Sequence, residues 1–271
     1  MTSTAQTVCT VVKKVRQFVP RWGSKKLYDI TMDALQQRGI KLGRDRFHEI
    51  LKRGQLLVPR RKRHFFTTDS KHRFYKYPNI AQDLEVKRPE QLWVSDITYI
   101  KTGEGPMYLS LVTDAYSRMI MGYHLADHLK ARGPIEALRM ALKNRMYPGR
   151  KLMHHSDKGL QYCCDEYIDL LNQNNVAVSM TSKYDPYENA IAERVNGTIK
   201  NEFEMDLYLP TKQFAMREIN RVIKIYNKLR PHMSCSMCSP EGVHKGQNPY
   251  SIKLNMRKQW SAIIFDNLNK I

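Results

Sequence analysis

Apolar residues recur at helical spacing in the first third of the chain. Residues 8–18 read as one short helix. A second is expected over residues 24–37, with Ser24 a plausible N-cap, Leu27, Ile30, Ala34 and Leu35 on one stripe, and Gly39 as its stop. A third fits residues 44–52, with Phe47, Ile50 and Leu51 on one face and Gly54 after it. Beyond residue 90 the period shortens. Residues 92–100, 107–115 and 119–126 are strand-like runs joined by turn-rich segments. Residues 134–145 have the pattern of an amphipathic helix, 151–154 of a short strand, 164–173 of a helix and 176–180 of a strand. Asp185-Pro186 then opens a long helix, with proline in the first turn, where its missing N–H costs nothing. The order β-β-β-α-β-α-β-α predicts an α/β fold, a mixed five-stranded sheet flanked by helices, preceded by an all-α domain.

Length and composition allow one large domain or two modest ones: 271 residues, 42 % hydrophobic. Charge changes the picture more. The formal net charge is +19, which favours a polyanionic partner. No apolar run approaches the roughly 18 residues of a membrane span, and the N-terminus lacks the charged and apolar regions of a signal peptide. Nucleic acid is therefore the expected polyanion and no membrane is expected. Residues 1–90 carry 21 Lys+Arg against 8 Asp+Glu, and residues 91–271 carry 24 against 18. That asymmetry is expected of a basic DNA-engaging module joined to a more neutral enzyme body. The second and third helices, with a tight turn over residues 38–41, resemble a helix-turn-helix, and Arg44 and Arg46 become candidate DNA contacts. A small bundle with solvated basic residues is the alternative. The run Arg60, Arg61, Lys62, Arg63, followed by aromatics, reads as a basic linker able to track phosphates, or as a connector ordered only on DNA. The five cysteines lack framework spacing, which fits a reducing, intracellular compartment.

The candidate chemistry rests on three carboxylates. Asp96 lies in the middle of the first expected strand, where an acid is costly unless it binds something; the alternative is a surface position on an edge strand. Asp157 follows a short apolar strand, and strand C-termini collect ligands in open α/β sheets; the alternative is a helix cap. Glu193 shares a helix face with Asn189, Asn196 and Lys200 at spacings of four, three and four. That face would swing Glu193 toward the aspartates and bring Lys200 to a DNA phosphate, while Asn189 and Asn196 would bond DNA or orient Glu193. A solvated polar face is the bland reading. Several converging carboxylates are what two Mg2+ ions need to clamp the oxygens of a phosphodiester, and Mn2+ is expected to substitute.

These segments resemble the catalytic signatures of OrfB-type insertion-sequence transposases of the IS-three family, relatives of retroviral integrases in the DDE superfamily. The residues that carry the resemblance are Trp93-x-x-Asp96-x-Thr98-Tyr99, His155-Ser-Asp157-x-Gly159-x-Gln161-Tyr162, and Asn189-Ala-x-Ala-Glu193-x-x-Asn196-Gly-x-x-Lys200-x-Glu202. The segment Tyr226-Asn227-x-x-Arg230-Pro231-His232 adds to it; Cys235 to Cys238 departs from it, with consequences expected for local packing only. The resemblance implies a ribonuclease-H-like integrase core, expected over residues 91–250; pattern and charge place a helix-turn-helix-like domain over 1–58, a basic linker over 59–90 and a C-terminal tail over 251–271. It also implies metal-dependent cleavage of element ends, then strand transfer by 3′-hydroxyl attack, with Asp96, Asp157 and Glu193 as catalytic metal ligands. The implied partners are double-stranded terminal repeats and target DNA, a homo-oligomer of at least two chains, and an upstream-frame OrfA protein. The implied setting is the bacterial cytoplasm and nucleoid. The competing readings are a ribonuclease-H-like nuclease or resolvase that cleaves without joining, and a DNA-binding protein without catalysis.

Other clusters carry less. His232, Cys235, Cys238 and His244 have loose zinc-like spacing, too weak to predict a site. Of His154 and His155, one is expected to pack and the other to shape the Asp157 loop. Asp114 reads as a turn cap. Arg230 is expected to pack rather than reach DNA.

Overall fold

The structure is a computed structural model that describes residues 3–59, 74–182 and 188–265. They divide into two compact units. One contains residues 3–59, 201–204 and 224–265; the other contains residues 74–182, 188–200 and 205–223. Arg60, Arg61, Lys62 and Arg63, and the predicted helix start at Asp185-Pro186, lie outside the described residues.

In the first unit, α1 (Ser3–Arg16), α2 (Ser24–Gln36) and α3 (Arg44–Arg53) form as expected from their stripes. Leu27, Ile30, Ala34 and Leu35 of α2 are fully buried. Ser24 is not the cap: Gly23 holds that position, and the Ser24 hydroxyl instead meets His48 Nδ1 of α3 at 3.0 Å. After α2 the chain turns at Gly39 (φ 71°), a left-handed conformation that glycine adopts without steric cost. The expected C-terminal tail is mostly a helix, α10 (Pro249–Phe265), which packs against α2. Its Trp260 is fully buried, its ring 5.4 Å from Trp22, and its Nε1 donates 2.9 Å to the Leu229 carbonyl. Burying one large aromatic there contributes roughly 1.5–3 kcal/mol; a loose tail would forgo it.

The second unit is built on five strands: β1 (Leu92–Thr102), β2 (Gly105–Asp114), β3 (Ile120–Ala126), β4 (Leu152–Ser156) and β5 (Val176–Met180). Their spatial order is β3-β2-β1-β4-β5, antiparallel through the first three and parallel from β1 to β5. This is the expected mixed sheet, and it makes β1 a central strand rather than an edge. Alternation along β1 divides its side chains. Trp93 and Ile97 join the core under α4 (Arg132–Lys143), α5 (Leu160–Cys163) and α6 (Asp165–Gln173). Leu92 and Val94 pack on the other side with Ala192 and Ile191 of α7 (Ala190–Glu202). The helix α8 (Lys212–Leu229) follows. Gly122 on β3 is required by packing: a Cβ there would sit 2.0 Å from the Ala137 carbonyl oxygen of α4.

Within the expected linker, residues 74–90 lie against the rest of the second unit, with two of its aromatics as anchors. Phe74 and Tyr77 pack against Ile168 and Met180, and Ala81, Leu84 and Val86 join the α7 cluster. The amides of Ile80 and Ala81 both donate to Ser179 Oγ, at 3.1 and 3.2 Å. Apolar residues spaced irregularly among charges carry no periodic signal, yet Phe74, Tyr77, Ala81, Leu84 and Val86 each pack into a core cluster.

Candidate active site

β1 sets the site by alternation. Asp96 and Thr98 continue the face that carries Leu92 and Val94, the face covered by α7. Three polar side chains of the α7 segment meet β1 in order. Asn189 Nδ2 donates 3.0 Å to the Ser95 carbonyl, Asn196 Nδ2 donates 2.8 Å to Asp96 Oδ2, and Lys200 Nζ donates 3.3 Å to Thr98 Oγ1. Lys200 Nζ also lies 4.5 Å from the centre of the Tyr99 ring. Asn189 and Asn196 are buried, so the face expected to bond DNA is turned inward onto the sheet at these two positions. Asn196 holds Asp96 and not Glu193.

β4 places the second carboxylate. It runs parallel to β1 with Val94 opposite His155. Continuing that register by two residues brings Asp157, one past the strand end, abreast of Asp96. Neighbouring strands lie roughly 4.8 Å apart, which is how acids 61 positions apart in sequence become neighbours. Asp157 Oδ1 accepts the Gly159 amide at 3.0 Å, and Gly159 is the N-cap of α5. Asp96 Oδ1 accepts from the Ile97 amide at 2.8 Å. Burial, and then the Asp157 charge, push the Asp96 carboxyl up to about 7; the Asn196 and Ile97 bonds pull the other way, and Glu193 adds a smaller upward push.

Glu193 stands on α7 between Asn189 and Asn196 and is exposed, its carboxyl raised by partial burial. Among the described residues, no three His, Cys, Asp or Glu side chains close up into a metal-ligand cluster. The structure thus pairs Asp96 with Asp157 and presents Glu193 from the facing helix, more loosely.

Both histidines of β4 serve the scaffold. His154 is buried; its Nε2 lies within hydrogen-bond distance of Ser95 Oγ (2.7 Å) and Tyr167 OH (2.9 Å), and burial lowers its pKa to about 3. His155 Nδ1 meets Ser179 Oγ at 2.9 Å, the hydroxyl that also holds residues 80 and 81. Asp114 is a turn cap: Oδ1 accepts from the Ser117 amide and hydroxyl, Oδ2 from the Glu90 amide. Arg230 is buried and bonds Glu202 through two nitrogens, each at 2.8 Å, and Lys26 reaches the same carboxylate at 2.5 Å. Sequence reading missed this triad because its members lie up to 204 positions apart. Cys235 and Cys238 are buried around a short 3-10 turn and are not joined by a disulfide. Arg44 and Arg46 on α3 are exposed and pair with Asp45 and Glu49.

Two family models, each described as an integrase core domain, match residues 86–186 and 174–240. The chain is 34 % identical over 208 residues to an uncharacterized 31 kDa protein of insertion element IS600 from Shigella sonnei, covering 76 % of each. It is 35 % identical over 168 residues to the transposase InsF of insertion sequence IS3A from Escherichia coli, covering 60 % of this chain and 56 % of that one. Among solved structures, a chain in the cryo-EM structure of the simian T-cell lymphotropic virus intasome in complex with PP2A regulatory subunit B56 gamma matches with a TM-score of 0.50 and 17 % identity. That match covers 79 % of this chain and 70 % of the other. It is a likeness of fold, the ribonuclease-H-like arrangement of the sheet described above. Sequence relatives, matched models and sheet topology agree: the chain belongs to the IS-three (IS3) family of transposases, DDE-type polynucleotidyl transferases with an integrase core.

Proposed function

We propose that this chain cleaves the ends of an insertion element and joins the freed 3′-hydroxyls to DNA, with Asp96, Asp157 and Glu193 as its catalytic, metal-holding carboxylates. The observation that carries the reading is the placement of Asp96 on β1 beside Asp157 just past the end of the adjacent parallel strand β4, under the helix that bears Glu193. The residues present fit divalent ions. Two carboxylates held abreast repel each other, and the Asp96 pKa near 7 registers that repulsion together with burial. A hard dication bound by oxygen ligands relieves both. Mg2+, with Mn2+ as substitute, would supply Lewis acidity to the attacking and leaving oxygens of the phosphodiester. The chain's own part is to aim these oxygens and to hold DNA. Lys200 is proposed to contact a phosphate near the site, exchanging its contacts with Thr98 and Tyr99 for the anion. Arg44, Arg46 and residues 60–63 are proposed to grip the element ends.

Double-stranded DNA, terminal repeats and target alike, is the proposed substrate. Two ends must be joined, so the active form is proposed to be at least a dimer, in the bacterial cytoplasm on the nucleoid, with an OrfA-type protein as a further partner. Among the described residues no helix is long and apolar enough to cross a membrane.

The test supplies labelled element ends, a target plasmid and Mg2+ or Mn2+. Cleavage followed by joined product is expected, and Asp157→Asn is expected to lower both by about a hundredfold or more, the range seen when one preorganised electrostatic group is removed. Cleavage without joined product would leave a nuclease or resolvase instead. Undiminished joining by Asp157→Asn would remove the carboxylate assignment.

A further inference from the structure

We propose that Asn196 is a positioning residue that fixes the Asp96 carboxylate for metal, rather than a DNA contact; this rests on the reading of Asp96 as a metal-holding group. The Asn196 side chain is 5 % exposed, so it has no surface to offer a phosphate. Its Nδ2 donates 2.8 Å to Asp96 Oδ2, and the Ile97 amide donates 2.8 Å to Oδ1. One donor on each oxygen stops rotation of the carboxylate about its terminal torsion and leaves lone pairs on both oxygens for a cation. Such a hydrogen-bonded partner orients a metal ligand and commonly changes metal affinity by 10–100-fold when removed.

The amide's direction is determined by chemistry. With Asp96 ionised, as metal binding requires, a turned-over Asn196 would set Oδ1 against Asp96 Oδ2, two acceptors facing each other. Among the described residues, Oδ1 is buried and finds no hydrogen-bond partner, so the donor end alone holds the side chain.

Asn189 supplies an internal comparison. It is seven positions earlier, about two helical turns, also buried, also with an unpartnered Oδ1 among the described residues. Its Nδ2 ends on the Ser95 backbone carbonyl at 3.0 Å. Both amides therefore pin the α7 segment to consecutive residues of β1, with Glu193 between them. Only the Asn196 bond ends on a carboxylate. If the two asparagines simply dock the helix, their removal has the same consequences. If Asn196 positions Asp96, only its removal reaches the metal.

Mn2+ binding to the full chain, measured by calorimetry without DNA, separates these cases when read beside the thermal midpoint. Asn196→Ala and the near-isosteric Asn196→Leu are expected to weaken Mn2+ by about tenfold or more, while Asn189→Ala lowers the midpoint and leaves Mn2+ affinity at the parent value. The Leu variant preserves packing volume and serves if the Ala variant does not fold. Asp96→Asn is the reference for loss of the site. If it loses Mn2+ while a folded Asn196 variant keeps the parent affinity, the positioning role is overturned. Equal weakening by Asn189→Ala and Asn196→Ala overturns it too, in favour of helix docking. If Asp96→Asn itself keeps the parent affinity, the metal reading of the site has failed, and the inference with it.

Discussion

At the scale of single residues, the site depends on groups that orient Asp96 and Asp157. Gly159 is one. A Cβ there would come within 3.0 Å of Asp157 Oδ1 and 3.1 Å of Gln161 Oε1. Its φ of −64° is open to any residue, so backbone strain is not the reason for glycine. Gly159→Ala is therefore expected to keep the fold, by circular dichroism, and to weaken Mn2+ binding by displacing the Asp157 carboxylate; unchanged Mn2+ affinity would refute this. Asp96 was legible in sequence as a carboxylate amid apolar strand residues, Asp157 as an acid just past a strand end, and Glu193 as the acid on a polar helix face. The roles of their neighbours were not. Asn189 and Asn196 share the polar face of Glu193 by spacing, and only the approach of β1 turns that face from solvent to buried hydrogen bonds. Of His154 and His155, one was expected to pack and the other to shape the Asp157 loop; burial and the hydroxyls of Ser95, Tyr167 and Ser179 commit both to the scaffold.

At the scale of elements, contacts between strands and helices explain residues that propensity leaves unexplained. Gly122 in β3 would ordinarily weaken a strand. It is there because α4 crosses it closely. Gly122→Ala is expected to destabilise the second unit by about 1–3 kcal/mol, as overpacking does, read as a lower urea midpoint; an unchanged midpoint would contradict the close approach. In the first unit, α10 covers α2, and Arg257 bonds Asp29 at 2.6 Å. Deleting residues 1–63 to test DNA binding would strip α10 of that partner and confuse unfolding with lost recognition. Paired Arg44→Ala and Arg46→Ala substitutions are the cleaner experiment. Both side chains are exposed, and their exposed ion pairs with Asp45 and Glu49 are worth little in water. The double variant is expected to lose end binding and to flatten its salt dependence while the thermal midpoint stays put. Retained affinity would remove α3 from the DNA surface. The sequence pattern placed α2, α3 and every strand, since each has a stripe or alternation of its own. It left residues 74–90 as a linker and α10 as a tail, because their buried positions answer to other parts of the chain.

At the scale of the whole molecule, titration offers a test that needs no DNA. His154 has its pKa lowered to about 3, so the unfolded chain binds its proton more readily. The stability it contributes is complete above about 6.5 and is lost as pH falls toward 3. Asp96 has its pKa raised to about 7, so the folded chain holds that proton more tightly, and raising the pH from 4 to 7 costs stability. The two effects oppose each other across the same window. In metal-free buffer, Asp96→Asn is expected to make the urea midpoint climb more steeply between pH 4 and 7 than in the parent chain; equal slopes would show that Asp96 is not perturbed. Charge asymmetry, helix stripes, strand alternation and the spacing of three acids are local or additive properties, and the sequence by itself determined them: a basic helical head, a mixed sheet, and carboxylates within a strand, just past a strand end and on a helix. Tertiary structure alone decided that Asp157 lies abreast of Asp96, that Asn196 grips Asp96, and that Glu202 gathers Arg230 and Lys26. These depend on strand register and on contacts between residues tens to hundreds of positions apart, which no periodicity along the chain encodes.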